Sequence, residues 1–103
     1  MLGITFKENC PDVRNTRIVD VVKALEEYNI NVTIYDPYAS PKEVMQEYGL
    51  DCLYELPNKT FDSIVLGVAH EEFLNLDFTL LQNKTSLLYD VKGMLKNSSS
   101  HRL

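Results

Sequence analysis

Apolar positions along the chain fall into two patterns, short continuous runs and helical spacing. The short runs predict strands, at residues 2–6, 30–35, 52–54, 61–69 and 86–91. Ile18, Val21, Val22 and Leu25 recur at i, i+3, i+4 and i+7, which predicts an amphipathic helix between the first two runs. Residues 70–76 predict a further short helix before the last run.

The helix after the second run has the clearest local start and stop. Ser40 suits the N-cap, Pro41 the first helical position, and Glu43 the third position of a capping box. Gly49 is placed to end this helix in a left-handed conformation.

Strands that alternate with helices predict a parallel sheet covered by helices. We therefore predict an α/β fold, a Rossmann-like doubly wound parallel sheet of about five strands in the order 3-2-1-4-5, with helices on both faces. Residues 1–103 form one domain by length, and residues 96–103 are expected to be a frayed polar tail. Because an apolar run opens directly at Leu2, we expect the chain to be part of a longer protein.

In such a sheet, ligands bind beyond the carboxyl ends of the strands. Three cations follow predicted strands there, Lys7 and Arg14 after the first and Lys92 after the last. A lysine ammonium and the fork of an arginine guanidinium both suit a diphosphate. The alternative is that each is an ordinary solvated surface cation.

Composition narrows the choice of ligand. The formal net charge is -5 and the pI is near 4.9, which argues against a nucleic-acid partner. Cys10 and Cys52 are too few for a disulfide scaffold, and no run of apolar residues predicts a signal peptide or a membrane span. A cytoplasmic protein without a membrane partner is expected, and no cluster has the spacing of metal ligands.

The segment after the first predicted strand excludes one common ligand mode. A dinucleotide site needs Gly-x-Gly-x-x-Gly there, so that the backbone can approach the pyrophosphate. Gly3 is the only glycine near that turn. The sequence therefore predicts that this domain does not bind NAD in the usual way.

A longer motif carries a family resemblance. Residues 6–16, Phe-Lys-Glu-Asn-Cys-Pro-Asp-Val-Arg-Asn-Thr, resemble the signature of the C-terminal domain of the UDP-glucose/GDP-mannose dehydrogenase family. Residues 35–37, 68–70 and 90–93 match its shorter motifs, in the same order and spacing. The Glu-Asn-Cys-Pro-Asp version is similar to bacterial enzymes that act on UDP-N-acetylhexosamines for surface polysaccharide.

The resemblance implies an NAD-dependent UDP-sugar 6-dehydrogenase. Such an enzyme oxidises the C6 alcohol of UDP-glucose or a UDP-N-acetylhexosamine to a carboxylate, giving a uronic acid. It implies that NAD is bound mainly by an N-terminal domain, with a central helical domain that forms a homodimer or larger assembly. The catalytic cysteine and lysine belong to those parts, so the chain alone is expected to be inactive.

The same resemblance assigns roles to four residues. Phe6, Lys7 and Lys92 match positions that contact the UDP-sugar, and Arg14 matches a position that approaches the NAD cofactor. No catalytic residue is implied in this chain.

Three other residues invite functional interpretation. Cys10 is expected to be structural or incidental and Cys52 to pack in the core. His70 could act as a base, although a capping or loop-ordering role is favoured because it follows a strand directly. A non-catalytic α/β binding or assembly module remains the alternative to a dehydrogenase domain.

Overall fold

The computed structural model describes residues 1–90, so Lys92 and the predicted tail at 96–103 lie outside the described residues. It is an α/β fold, as the sequence predicts. The helices and strands are, in chain order, α1 (Ile18–Glu27), α2 (Pro41–Tyr48), β1 (Phe61–Leu66), α3 (Glu71–Leu74), a 3₁₀ turn (Phe78–Leu80) and β2 (Gln82–Asp90).

The sheet of the described residues has two strands, β1 and β2, which pair in parallel. Single parallel bridges extend this pairing sideways, from Leu66 to Leu2, from Leu2 to Tyr35 and from Tyr35 to Leu53. Backbone hydrogen bonds accompany the bridges, for example from Leu2 N to Val65 O at 2.8 Å and from Gly3 N to Tyr35 O at 2.9 Å. The three predicted strands at 2–6, 30–35 and 52–54 are therefore extended segments that touch their neighbours at one residue each.

The α/β class is confirmed, whereas about five strands in the order 3-2-1-4-5 go beyond the two-stranded sheet of residues 1–90. The first segment shows why pairing stops after Leu2. Gly3 turns the backbone to a left-handed φ of 93°, and the N–H groups of Ile4 and Thr5 donate to a side chain, not to another strand. A strand ladder cannot continue where its donors are used elsewhere.

Two buried clusters form the core. The first combines Val19 and Val22 of α1 with Val44 of α2, packed with Ile4 and Ile34. The second surrounds β1 and β2 and consists of Leu2, Ile64, Leu66, Phe73, Leu81 and Leu88. Residues 2–4 and 34–35 connect the two clusters, because Ile4 and Ile34 belong to the first while Leu2 belongs to the second and Tyr35 packs against it.

Helix α2 begins and ends as its sequence predicts. Ser40 is the N-cap and its Oγ accepts from Glu43 N at 3.4 Å, while Gly49 closes the helix with φ 68°. The longest helix within residues 1–90 is α1, at 10 residues, so no helix in this part of the chain is long enough to cross a bilayer.

Candidate functional site

The Asp36 carboxylate joins three segments at the carboxyl edge, the place where the parallel segments end. Its Oδ2 accepts the backbone N–H of Ile4 at 2.7 Å and of Thr5 at 3.2 Å, both from the first segment. The same oxygen lies 2.9 Å from Nε2 of His70, which follows β1. Asp36 and His70 are both fully buried. The ends of segments 2–5 and 34–36 and of β1 therefore meet at one place.

The other oxygen of Asp36 is also filled by backbone donors. Oδ1 accepts from Tyr38 N at 2.8 Å and from Ala39 N at 3.2 Å, so it closes its own turn. Burial raises the pKa of Asp36, but the hydrogen bonds from His70, Ile4 and Tyr38 outweigh it and hold the pKa below its ordinary value. Asp36 is thus an ionised carboxylate surrounded by donors.

The hydrogen bonds of His70 define its tautomer. Nδ1 accepts the backbone N–H of Asn9 at 2.9 Å, so the ring proton sits on Nε2 and points to Asp36. Thr5 Oγ1 donates to the carbonyl of Lys7 at 3.0 Å and lies 3.1 Å from Nε2. His70 therefore orders the loop that follows the first segment. Its side chain makes no cap to α3, so the loop-ordering interpretation is the one that the structure supports.

Tyr38 covers His70 from outside. The two rings lie 4.6 Å apart between centroids, and the ring of Phe73 lies 5.4 Å from His70 on another side. The Tyr38 hydroxyl donates to Glu72 Oε1 at 2.8 Å, and this hydrogen bond is the main reason that the pKa of Tyr38 is raised. Two aromatic rings therefore pack against the buried imidazole.

Phe6 and Lys7 lie on the loop that these contacts order. Both side chains are exposed, Phe6 by 56%. The N–H of Phe6 donates to Asp12 O at 2.7 Å, which folds the loop back on itself. An exposed aromatic ring offers a stacking face, and the neighbouring ammonium is a point charge for phosphate oxygens.

Arg14 lies further along the same loop, beside its own counterion. Its guanidinium donates from Nε to Asp12 Oδ1 at 3.1 Å and from Nη2 to Oδ2 at 3.3 Å. This pair raises the pKa of Arg14 and lowers that of Asp12. Both residues line an open depression of about 490 Å³ together with Glu43 and Glu47 of α2. Three carboxylates around one guanidinium leave this depression acidic, so it does not favour a free anion by itself.

The residues after Leu2 do not fit a dinucleotide. In that mode, backbone N–H groups after the first strand would face the pyrophosphate. Here the N–H groups of Ile4 and Thr5 already donate to Asp36. The glycine at position 3 makes room for Val68, whose Cβ would lie 2.6 Å from an added Cβ, and not for a ligand.

The two cysteines differ in their burial. Cys52 is buried, and burial raises the pKa of its thiol to about 12. Cys10 is a partly exposed free cysteine in the wall of the depression beside Arg14. Within residues 1–90, no cluster of three or more His, Cys, Asp and Glu side chains could hold a metal ion.

Sequence reasoning found the loop but not what holds it. The roles of Asn9, Thr5 and Tyr38 were missed, because their partners lie 31 to 65 residues away along the chain. A signal for the central pair was present. Asp36 follows Tyr35 directly, and His70 comes just after the apolar run 64–68, so the strand-end rule already placed both at one edge.

The fold and this edge define an α/β domain whose candidate ligand loop follows the first extended segment. The chain belongs to the UDP-glucose/GDP-mannose dehydrogenase family. The sequence profile of that family's UDP-binding domain matches residues 1–97, which confirms the family resemblance inferred from the loop motif.

Individual relatives agree with the family match. The chain is 43% identical over 103 residues to the UDP-N-acetyl-D-glucosamine 6-dehydrogenase of Pseudomonas aeruginosa, covering 97% of this chain and 24% of that enzyme. It is 42% identical to the enzyme of the same name from Salmonella typhi, again over 97% of this chain and 24% of the relative. The UDP-glucose 6-dehydrogenase of Rhizobium meliloti is 36% identical over 93% of this chain and 23% of that enzyme. The chain thus spans about a quarter of the length of these relatives.

Proposed function

We propose that this chain is the C-terminal, UDP-sugar-binding domain of a cytoplasmic NAD-dependent UDP-sugar 6-dehydrogenase. The observation that carries the proposal is the family match over residues 1–97, together with the similarity to two UDP-N-acetyl-D-glucosamine 6-dehydrogenases. A UDP-N-acetylhexosamine is therefore the preferred substrate over UDP-glucose. The product is the corresponding uronic acid, used for bacterial surface polysaccharide.

Within that enzyme, Phe6 and Lys7 contact the UDP-sugar. Their support is the geometry of the loop, which presents an aromatic ring and an ammonium at the carboxyl edge while its backbone is tied to the sheet. Lys92, which lies outside the described residues, is proposed to bind the same ligand from the end of the last strand. A diphosphate between Lys7 and Lys92 would gain two charge-assisted contacts.

Arg14 is proposed to approach the NAD cofactor held by another domain. Its side chain is 75% exposed, and two hydrogen bonds to Asp12 orient the guanidinium, which remains accessible to a partner. NAD accepts the hydride when it is bound, and it is held mainly by an N-terminal domain, because residues 3–5 of this chain form no dinucleotide cradle. A homodimer or larger assembly is expected through a central helical domain.

The proposed sheet of the intact domain has five strands in the order 3-2-1-4-5, doubly wound with helices on both faces. Its support is the lateral series of parallel bridges, which runs from Leu53 through Tyr35 and Leu2 to β1 and then β2. In that order, the loops carrying Lys7 and Lys92 open on the same edge, separated by the end of β1.

Titration of the ¹⁵N-labelled chain with UDP, followed by NMR, tests the proposal. We expect the amides of Phe6, Lys7 and Lys92 to shift at millimolar UDP, with uridine giving much smaller shifts because it lacks the diphosphate. No shift at millimolar UDP would favour a non-catalytic binding or assembly module.

The same sample should show no dehydrogenase activity. We expect no NADH when the chain is mixed with NAD and a UDP-sugar, because no catalytic residue is proposed in it. Measurable NADH formation would show that this chain carries the chemistry.

A further inference from the structure

The loop that carries Phe6 and Lys7 buries little of its own surface against the rest of the fold. Residues 6–9 are all exposed, and they belong to neither a helix nor a strand. Two of the hydrogen bonds that hold them, from Thr5 Oγ1 to Lys7 O and from Phe6 N to Asp12 O, are local. Contacts to the rest of the fold must therefore decide where the loop lies relative to the sheet.

Asn9 provides such contacts twice. Its backbone N–H donates to His70 Nδ1 at 2.9 Å, and its side-chain Oδ1 accepts from Glu71 N at 2.7 Å. Asn9 has a left-handed φ of 55°, a conformation in which asparagine is favoured over most residues. The two hydrogen bonds connect the end of the loop to the segment after β1, across 61 and 62 positions of sequence.

The acceptor on His70 is fixed in space. The imidazole is fully buried, donates from Nε2 to Asp36 at 2.9 Å, and packs against the rings of Tyr38 and Phe73. Because the Nε2 proton is committed to Asp36, Nδ1 is left as an acceptor that points at the loop. His70 thus offers Asn9 a hydrogen-bond acceptor whose position is fixed by the buried edge of the sheet.

We propose that Asn9 and His70 form a latch that positions Phe6 and Lys7 for the nucleotide diphosphate, which makes both of them positioning residues for the UDP-sugar. This inference rests on the proposed function of the loop. A loop that is ordered before binding loses less conformational entropy on binding, so the latch raises affinity without touching the ligand.

Two substitutions at one position separate the two hydrogen bonds of His70. The amide nitrogen of glutamine can replace Nε2, so His70→Gln keeps a donor for Asp36 and loses the acceptor for Asn9. The amide oxygen of asparagine can replace Nδ1, so His70→Asn keeps the acceptor for Asn9 and loses the donor for Asp36. If His70 had a merely structural role, the two substitutions would affect the loop equally, and His70→Gln would not loosen it more than His70→Asn.

Hydrogen exchange at the Asn9 amide reads the latch directly. We expect about tenfold faster exchange in His70→Gln and a rate near wild type in His70→Asn, because one hydrogen bond is worth about a factor of ten. UDP titration of the same samples should show about tenfold weaker binding for His70→Gln alone. Alkylation of buried Cys52 without denaturant reports whether a variant has unfolded.

Asn9→Gly keeps the left-handed backbone and removes the Oδ1 acceptor for Glu71 N. We expect this variant to weaken UDP binding as well, with the fold retained. It therefore tests the latch at a second residue, should both His70 variants fail to fold.

The two proposals fail in different ways. In variants whose Cys52 stays protected from alkylation, equal Asn9 exchange in His70→Gln and wild type, or equally fast exchange in both His70 variants, overturns the latch whatever UDP does. Wild-type chain that does not respond to UDP overturns the proposed function, while Asn9 exchange still decides the latch. If the wild type binds UDP and both His70→Gln and Asn9→Gly bind it equally well, the positioning role is wrong and the proposed function stands.

Discussion

Gly3 and Val68 approach each other so closely that a Cβ at position 3 would lie 2.6 Å from Val68 Cβ and 2.9 Å from Val68 N. Two backbone hydrogen bonds lie beside this contact: Gly67 N and Val68 N both donate to Leu2 O, at 2.9 Å and 3.4 Å. It brings the first segment against the segment after β1, and so brings Thr5 within reach of His70. The site is built on this approach of two backbones.

Gly3→Ala is therefore expected to destabilise the fold strongly. The new methyl group would clash with backbone as well as side chain, and φ 93° is unfavourable for alanine, so the loss is expected at about 2–5 kcal/mol. Urea unfolding of the chain measures it.

Gly49→Ala is the matched control for that experiment. Gly49 also has a positive φ, 68°, but nothing lies within 4 Å of an added Cβ. We expect a loss of only about 1–2 kcal/mol, the conformational cost alone. Equal losses at positions 3 and 49 would mean that the Val68 contact contributes nothing.

The contrast between α2 and the first segment shows what the sequence could predict. The signals for α2 act on neighbouring residues, and the Ser40 cap, Pro41 in the first turn and the Gly49 end are all seen in the structure. The apolar run at residues 2–6 predicted a strand, but its pairing ends after Leu2. Ile4 and Thr5 donate to a carboxylate that lies 32 and 31 positions away, respectively, and no local pattern predicts that pairing.

The candidate site divides in the same way. The position of Phe6 and Lys7 on the loop after the first segment followed from strand order and motif. The burial of Asp36 against His70 depended on tertiary packing, since two polar residues 34 positions apart show no periodicity. Only the position of Asp36 and His70 at strand ends indicated that the two residues share an edge.

Asp36→Asn is expected to destabilise the chain at neutral pH. Both oxygens accept from donors, so an amide NH₂ would face an N–H group in either orientation. A buried donor left without an acceptor costs about 1–3 kcal/mol, and we expect a loss at the upper end of that range or beyond.

The loss should depend on pH in a defined direction. The pKa of Asp36 is lowered by folding, so the native state binds this proton more weakly than the unfolded chain does. The stabilisation is therefore present above the ordinary value of 3.8 and disappears as the pH falls through the lower native value. Urea unfolding should show a large gap between wild type and Asp36→Asn at pH 6 that narrows toward pH 3. A gap that is constant over this range would contradict the assignment.

Lys7→Ala tests the proposed substrate contact. Under the proposed function, the full-length enzyme with this substitution is expected to lose about tenfold or more in kcat/KM for the UDP-sugar, the value of a charge-assisted contact. Lys84→Ala is the matched control, because Lys84 is an exposed lysine near the start of β2, at the opposite edge. Similar losses in both variants would point to net charge and not to a contact.

The cysteines should differ in reactivity. Without denaturant, iodoacetamide is expected to modify partly exposed Cys10 and to spare Cys52, whose burial raises its pKa to about 12. Mass spectrometry of peptides measures both. Modification of Cys10 should leave UDP binding largely intact if Cys10 is incidental, and an abolished titration would give it a role.

The carboxylate of Asp36 has a consequence for how such a domain can diversify. Its negative charge accepts hydrogen bonds from the main-chain N–H groups of Ile4 and Thr5, which in a dinucleotide-binding fold would face the phosphates of the ligand. Under the proposed function, recognition therefore falls to the side chains of Phe6 and Lys7 and not to the main chain before them. Exchanging those two side chains would leave the charge balance at Asp36 intact, so a different nucleotide-sugar preference could arise there without rebuilding the sheet.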